Sequence, residues 1–443
     1  RAAPSWAAAG AATSSEAKSG SQRMGGSDAP PGQTISGLIG SAPMARRSPN
    51  KHINLNVRGM RASATVAINE HSNALLAEGR TVYKLGLGQS PFPVPRSVVD
   101  ALRDHATEKD YLPVRGLYDL RRAVAHYTER KAGIDRTAED VLIGPGSKEL
   151  MFLLQLVYYG DLLIPTPAWV SYAPQAQIIG RKVELVQTRA EDGWMLTPEA
   201  LDEACSRDSD RPRVVILNYP SNPTGSTYKV DQLKAIAKVA QKHGVLLLSD
   251  EIYGELHHKG QHVSIARYYP EGTIISAGLS KWCGAGGWRL GTFVFPESLR
   301  WLLDAMGAVA SETYTSTSAP IQYAAVTAFE GGAGIERYLQ NSRRILSALG
   351  RGCARRLRSA GVECPQPVGG FYLFPDFSAH ADALAARGIT DAPTLCARLL
   401  DETGVAILPG SQFGRPPEEL TARLAYVDFD GDRALEAVDR KSV

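Results

Sequence analysis

Cysteine is scarce in this chain. Its 443 residues hold five, at positions 205, 283, 353, 364 and 396, and no two are spaced as C-x-x-C. An odd, scattered set argues against a disulfide framework and a zinc ribbon, and fits a reducing compartment. No apolar run approaches the roughly 18 residues that a membrane span requires. A dominant charge is lacking too. Lys and Arg number 49 against 46 Asp and Glu, a net +3, so no basic face asks for a nucleic acid. Glycine (42) and proline (27) are ordinary in number, and 44% of residues are hydrophobic. That composition rules out a collagen, a coiled coil or a wholly disordered chain, and it can bury a large core. Several motifs are also missing. There is no G-x-x-x-x-G-K-[ST] phosphate loop and no G-x-S-x-G hydrolase elbow. Gly86-Leu87-Gly88 begins a G-x-G, but Gln89, Ser90 and Pro91 follow and the dinucleotide fingerprint fails. His257, His258 and His262 cluster without a helical H-x-x-x-H spacing, which argues against a metal site.

The first fifty residues have a texture of their own. They are rich in Ala, Ser, Gly and Pro, with basic Arg1, Lys18, Arg23, Arg46 and Arg47 against acidic Glu16 and Asp28. Such a segment buries too little surface to offset chain entropy, so residues 1–52 are expected to be a disordered leader. Its Ser-rich, acid-poor character is that of an organelle transit segment or of a plain tail, leaving a cytoplasmic or organellar location open. From residue 53 onward, short apolar runs alternate with helical periodicity. Val141–Ile143, Leu162–Ile164, Val214–Asn218 and Val245–Ser249 read as strands, with helices at Ser147–Tyr159, after Trp169 and at Val230–His243. This alternation predicts an α/β fold with a mostly parallel sheet covered on both faces by helices. A long amphipathic stretch, Ile335–Ala360, opens a second pattern, in which strands at Phe371–Phe374 and Arg423–Phe429 mix with a helix at Asp391–Thr403. The expected domains are a large α/β unit over 97–330 and a smaller α+β unit combining 53–96 with 331–443.

Four strings sit where strands end, and parallel strands open their carboxyl ends onto the ligand crevice. Ser280-Lys281 follows the apolar run Thr273–Leu279, with Gly287-Trp288-Arg289-Leu290-Gly291 just beyond. A lysine amine that can shed its proton forms Schiff bases, and an arginine in a glycine-rich turn suits an anion. Asp250-Glu251-Ile252-Tyr253 closes Val245–Ser249, and a carboxylate there could keep a pyridine nitrogen protonated or simply cap a helix. Asn218-Tyr219-Pro220-Ser221-Asn222-Pro223-Thr224-Gly225 is a rigid turn that would hold Asn222 at a fixed position. Gly144-Pro145-Gly146-Ser147-Lys148 joins a strand to a helix whose first amides could hold a phosphate. Each string taken singly also reads as a surface turn or common punctuation.

Together, and in this order, the strings resemble class I aminotransferases, pyridoxal-phosphate enzymes of fold type I. The likeness runs from about Ser63 to the C-terminus and includes Pro167-Ala168-Trp169-Val170-Ser171-Tyr172 and Ala422-Arg423-Leu424-Ala425-Tyr426. The resemblance implies the following roles. Lys281 carries pyridoxal 5'-phosphate as a Schiff base and then shuttles the substrate's Cα proton. Asp250 pairs with the pyridine nitrogen, while Tyr253 and Asn222 bond the ring oxygen. Trp169 stacks on the ring. Ser280, Arg289 and the backbone at Ser147 and Lys148 hold the phosphate, with Tyr111 reaching the phosphate of a partner subunit in a homodimer. Arg423, helped by Asn222 and the Gly88 backbone, clamps the substrate carboxylate. Lys148 stands where aspartate aminotransferases of the bacterial and plastid type meet a side-chain carboxylate, and Ser63–Ala67 resembles their N-terminal segment. The implied reaction is transfer of an amino group from aspartate to 2-oxoglutarate, with no membrane or nucleic-acid partner. Prephenate, aromatic or neutral substrates, or a β-lyase on the same fold, are the alternatives. One departure stands out: the family's Glu-Pro-Asp-Phe after the glycine is Gln89-Ser90-Pro91-Phe92 here.

Overall fold

Residues 52–60, 64–208 and 210–440 are described by the computed structural model. The expected leader lies outside them except for His52, and so does Ser63. In chain order the strands are β1 (Tyr83–Lys84), β2 (Val141–Gly144), β3 (Asp161–Thr166), β4 (Val183–Gln187), β5 (Arg213–Asn218), β6 (Leu246–Asp250), β7 (Thr273–Gly278), β8 (Gly291–Val294), β9 (Tyr372–Leu373), β10 (Val405–Ala406), β11 (Leu408–Pro409) and β12 (Ala422–Ala425). Seven of them form one sheet in the order β2-β8-β7-β6-β5-β3-β4. Strand β8 runs antiparallel to both its neighbours, and the pairs from β7 across to β4 are parallel.

The strands are apolar throughout because both faces are buried. Val214, Ile216, Leu246 and Leu248 pack with Leu150, Met151, Leu302 and Met306, from helices Ser147–Val157 and Arg300–Thr313. The alternate residues Val215, Leu217 and Leu247 pack with Leu201, Leu233 and Ile236, from helices Pro198–Ser206 and Val230–Lys242. A period of two thus divides each strand between two cores. The covering helices begin where the chain supplies caps. Thr197 accepts the Ala200 amide at 3.2 Å and Pro198 fills the first turn, while Asp391 caps Ala392–Thr403 through the Thr394 amide at 2.7 Å.

Two small sheets complete the fold. Strand β1 pairs in parallel with β10 (Tyr83↔Val405), and β11-β12-β9 form an antiparallel set. The strand expected over Arg423–Phe429 stops at Ala425, because the Val427 and Phe429 amides fold back onto the carbonyls of Ala425 and Val427. The one expected over Phe371–Phe374 contracts to β9. The long amphipathic stretch is a single helix, Ala333–Ser359. Among the described residues no helix is long and apolar enough to cross a membrane.

Candidate active site

The carboxyl ends of β2, β3, β5, β6 and β7 deliver their following residues to one cavity of about 430 Å³. Its wall contains Gly88, Ser147, Lys148, Trp169, Asn222, Asp250, Tyr253, Ser280, Lys281, Arg289 and Arg423. Of the residues expected to form the site, Tyr111 alone is not brought there: it is 89% exposed and is not part of the wall.

Asp250 ends β6 and is 3% exposed. Its Oδ2 accepts a 2.5 Å hydrogen bond from the Tyr172 hydroxyl, while its Oδ1 is buried with no partner. Burial pushes the carboxyl up to about 6, against the pull of the Tyr172 hydrogen bond. Lys281 follows β7 and donates from Nζ to the Gly88 carbonyl at 2.7 Å. Burial brings its amine down to about 8, and Arg423 adds to the effect. An amine so placed gives up its proton near neutral pH, as a Schiff-base lysine must.

Arg423 is 1% exposed on β12. It donates from Nη1 to Asn222 Oδ1 at 3.1 Å and from Nη2 to the Gly86 carbonyl, and its Nε is buried without a partner. Among the described residues no carboxylate pairs with it, nor with Arg289 or Lys148. A buried guanidinium without an anion is costly, so the cavity asks for one. Gly88 lies opposite, where a β-carbon would collide with the Tyr372 hydroxyl. Asn222 is in turn held by Asn218, whose side chain accepts the Asn222 amide at 2.7 Å and donates to the Asp250 carbonyl at 2.9 Å.

The helix Ser147–Val157 starts at Gly146, whose φ of 94° is one that favours glycine. A β-carbon on Gly146 would strike the Arg289 guanidinium. The arginine therefore sits against the amino end of that helix, where the Ser147 and Lys148 amides precede the first intrahelical bond. This is an anion cradle. Lys148 Nζ lies 5.3 Å from the centre of the Trp169 ring, and its amine is pulled below the usual range by burial and then by Arg289.

An unpartnered buried carboxylate oxygen, an amine near neutrality and a cationic cradle match the pyridine nitrogen, aldehyde and phosphate of pyridoxal phosphate. The aminotransferase class I and II pattern matches residues 80–432. The chain belongs to that family. This aminotransferase is 35% identical to aspartate aminotransferase of Geobacillus stearothermophilus, over 87% of this chain and 97% of the other. It is 33% identical to an aspartate/prephenate aminotransferase of Cereibacter sphaeroides, over 84% and 93%. The aspartate aminotransferase of Thermus thermophilus solved with maleate superposes with a TM-score of 0.78 at 30% identity, covering 88% of this chain and 99% of that one. The protein is thus a pyridoxal-phosphate-dependent transaminase of fold type I.

Tyr172, Asn218 and Tyr372 are wall residues to which the sequence assigns no role. Tyr172 lies in the quoted Trp-Val-Ser-Tyr string, three residues after Trp169, and that string was its only signal. Asn218 opens the rigid turn, and its bridging role depends on the register Asn218↔Asp250. Tyr372 comes from β9 and had no local signal. The clustered histidines have structural partners. His262 Nε2 lies 2.7 Å from Glu251, His258 Nε2 lies 3.1 Å from the Gly370 carbonyl, and His257 Nδ1 accepts two backbone amides. Cys283 is a fully buried packing residue whose thiol is pushed up to about 12 by burial.

Proposed function

We propose that this aminotransferase takes its amino group from aspartate, or a closely related dicarboxylic amino acid, and passes it to 2-oxoglutarate. The observation that carries the reading is Lys148. Four cations line the cavity (Lys148, Lys281, Arg289 and Arg423) against one acid, Asp250. Arg289 answers a phosphate of about two negative charges, Arg423 answers the α-carboxylate, and Lys281 works as a neutral amine. Lys148 then remains for a second carboxylate. The relatives named for aspartate support the same choice.

Pyridoxal phosphate, when bound, supplies an aldehyde that links to an amine and a ring that draws electrons from the substrate's Cα–H bond. The remaining work falls to side chains. The free Asp250 oxygen would hold a proton on the pyridine nitrogen. Arg423 orients the substrate through its α-carboxylate, assisted by Asn222 and the Gly88 backbone. Lys281 Nζ, as a neutral amine, would take the proton from the substrate's Cα and hold it for return. Tyr253 and Asn222 would face the ring oxygen, Trp169 would cover the ring, and the Ser147 and Lys148 amides with Ser280 and Arg289 would hold the phosphate. Gly88 and Arg423 would come from the smaller domain, 53–96 with 331–443, and the rest from 97–330. The exposure of Tyr111 supports a homodimer, in which this side chain would serve the partner's phosphate.

A half-reaction panel tests the substrate. Each amino acid is added to the cofactor-loaded enzyme and loss of the visible band is followed. Aspartate and glutamate should react fastest, and Lys148→Ala should slow them by about 10²-fold while sparing neutral amino acids, in keeping with one lost charge pair. Equal losses for neutral substrates would assign Lys148 to the phosphate or to structure. A panel led by aromatic amino acids would favour the aromatic alternative.

A further inference from the structure

Tyr253 does not stand alone. Its hydroxyl lies 2.7 Å from that of Tyr372, and both rings are buried, at 2% and 1% exposure. The rings meet edge to face with centroids 5.5 Å apart. Tyr372 arrives on β9, which pairs with β12, the strand that carries Arg423. The Arg423 guanidinium lies 4.9 Å from the centre of the Tyr372 ring. On the other side the Tyr372 hydroxyl presses on Gly88.

We propose that Tyr372 is a positioning residue which donates its hydroxyl proton to Tyr253 Oη, and so turns the Tyr253 proton toward the cofactor's ring oxygen. This rests on the reading above that Tyr253 faces that oxygen. The direction of the bond follows from the surroundings. Arg423 has no acceptor to offer, and among the described residues Tyr253 Oη is the hydrogen-bond partner of the Tyr372 hydroxyl. Tyr253 Oη is therefore the acceptor available to the Tyr372 proton, and Tyr253 keeps its own proton for the cavity. The charged groups facing the pair agree. Burial raises both hydroxyls above their usual range. Arg423 draws both back down, but Tyr253 also feels Tyr372 and Asp250 and is raised further. Lys281 lies 5.6 Å from the centre of the Tyr253 ring. Tyr372 is thus the better donor. A hydroxyl that accepts one bond becomes the stronger donor of the next, so the two tyrosines act as a chain.

The test uses the full-length, cofactor-loaded protein and reads the pH at which its visible band changes, beside activity. A weaker donor leaves more negative charge on the ring oxygen, which holds the proton on the linked Lys281 nitrogen to higher pH. Tyr372→Phe keeps the ring against Arg423 and Gly88, and should raise the midpoint by about half a pH unit, the size of one modest hydrogen bond. Tyr253→Phe should raise it further, and the double variant should match Tyr253→Phe alone, since Tyr372 acts only through Tyr253. An unmoved midpoint in Tyr372→Phe, or shifts that add in the double variant, would overturn the proposal. An unmoved midpoint in Tyr253→Phe would instead remove Tyr253 from the ring oxygen, and the reading beneath the proposal with it.

Discussion

Two neighbouring acids at the end of β6 face two different cavities. Asp250 lines the one of about 430 Å³ that holds the predicted site. Glu251 lines a second, of about 230 Å³, together with Lys131, Arg343, His262, Glu255 and Glu336. The second is also lined with charge, yet its charges answer one another. Glu251 accepts from Ser249 at 2.7 Å, Ser264 at 2.5 Å and His262 at 2.7 Å. Glu255 takes the Tyr127 hydroxyl at 2.7 Å, Lys131 at 3.1 Å and Arg343. Its unpartnered atoms are an imidazole nitrogen of His262 and the Thr292 hydroxyl, groups that a water can serve. Around Asp250 the unpartnered atoms are a carboxylate oxygen and a guanidinium nitrogen. Burying those is far more costly, and a ligand removes the cost. A charged cavity is structural when its ions are paired and functional when they are left waiting.

The comparison can be broken most forcefully at Asp250. Asp250→Asn should lower kcat/KM by on the order of 10³-fold, the scale of a lost electrostatic partner to a reacting group, with little change in thermal midpoint. If activity survives within tenfold, the unpaired oxygen is not the cofactor's.

The two sides should also differ in pH response. Burial places Asp250 at about 6 and Lys281 at about 8. Burial alone would push Glu251 up, but His262 and the hydroxyl donors hold it below the usual carboxylate range. Lys281 is an ammonium below about pH 8 and a free amine above it. The rate at which apoprotein captures pyridoxal phosphate should therefore fall about tenfold per unit below pH 8 and level off above it. Stopped-flow absorbance reads this directly, and the same slope should persist in Glu251→Gln. A profile still rising tenfold per unit beyond pH 9 would contradict the depressed amine.

The smallest effect on chemistry belongs to Glu255→Gln. It leaves Arg343, whose side chain is 13% exposed, without its buried acid. Stability should drop by about 3–5 kcal/mol in denaturant unfolding, while kcat/KM stays within about threefold. A large loss of activity at unchanged stability would mean the second cavity serves the reaction after all.

Much of the site could be read from the residue order. Asn222, Asp250, Lys281 and the Ser147-Lys148 turn were predicted at strand ends, and parallel strands do carry them to one rim. The cofactor followed from the resemblance of those strings, taken together and in order, to class I aminotransferases. The partners of those residues were not readable in the same way. Tyr372 reaches Tyr253 across 119 positions and Tyr172 reaches Asp250 across 78. The reversed strand β8 likewise depends on neighbours that no local pattern names.

The sequence by itself determined which chemical groups stand at the strand ends, since each is set by a short string and the local geometry that string allows. The tertiary structure alone decided which of those groups are left unpaired. Whether a buried charge finds a counter-ion depends on side chains brought together from distant parts of the chain, and that pairing separates the Asp250 cavity from the Glu251 cavity beside it.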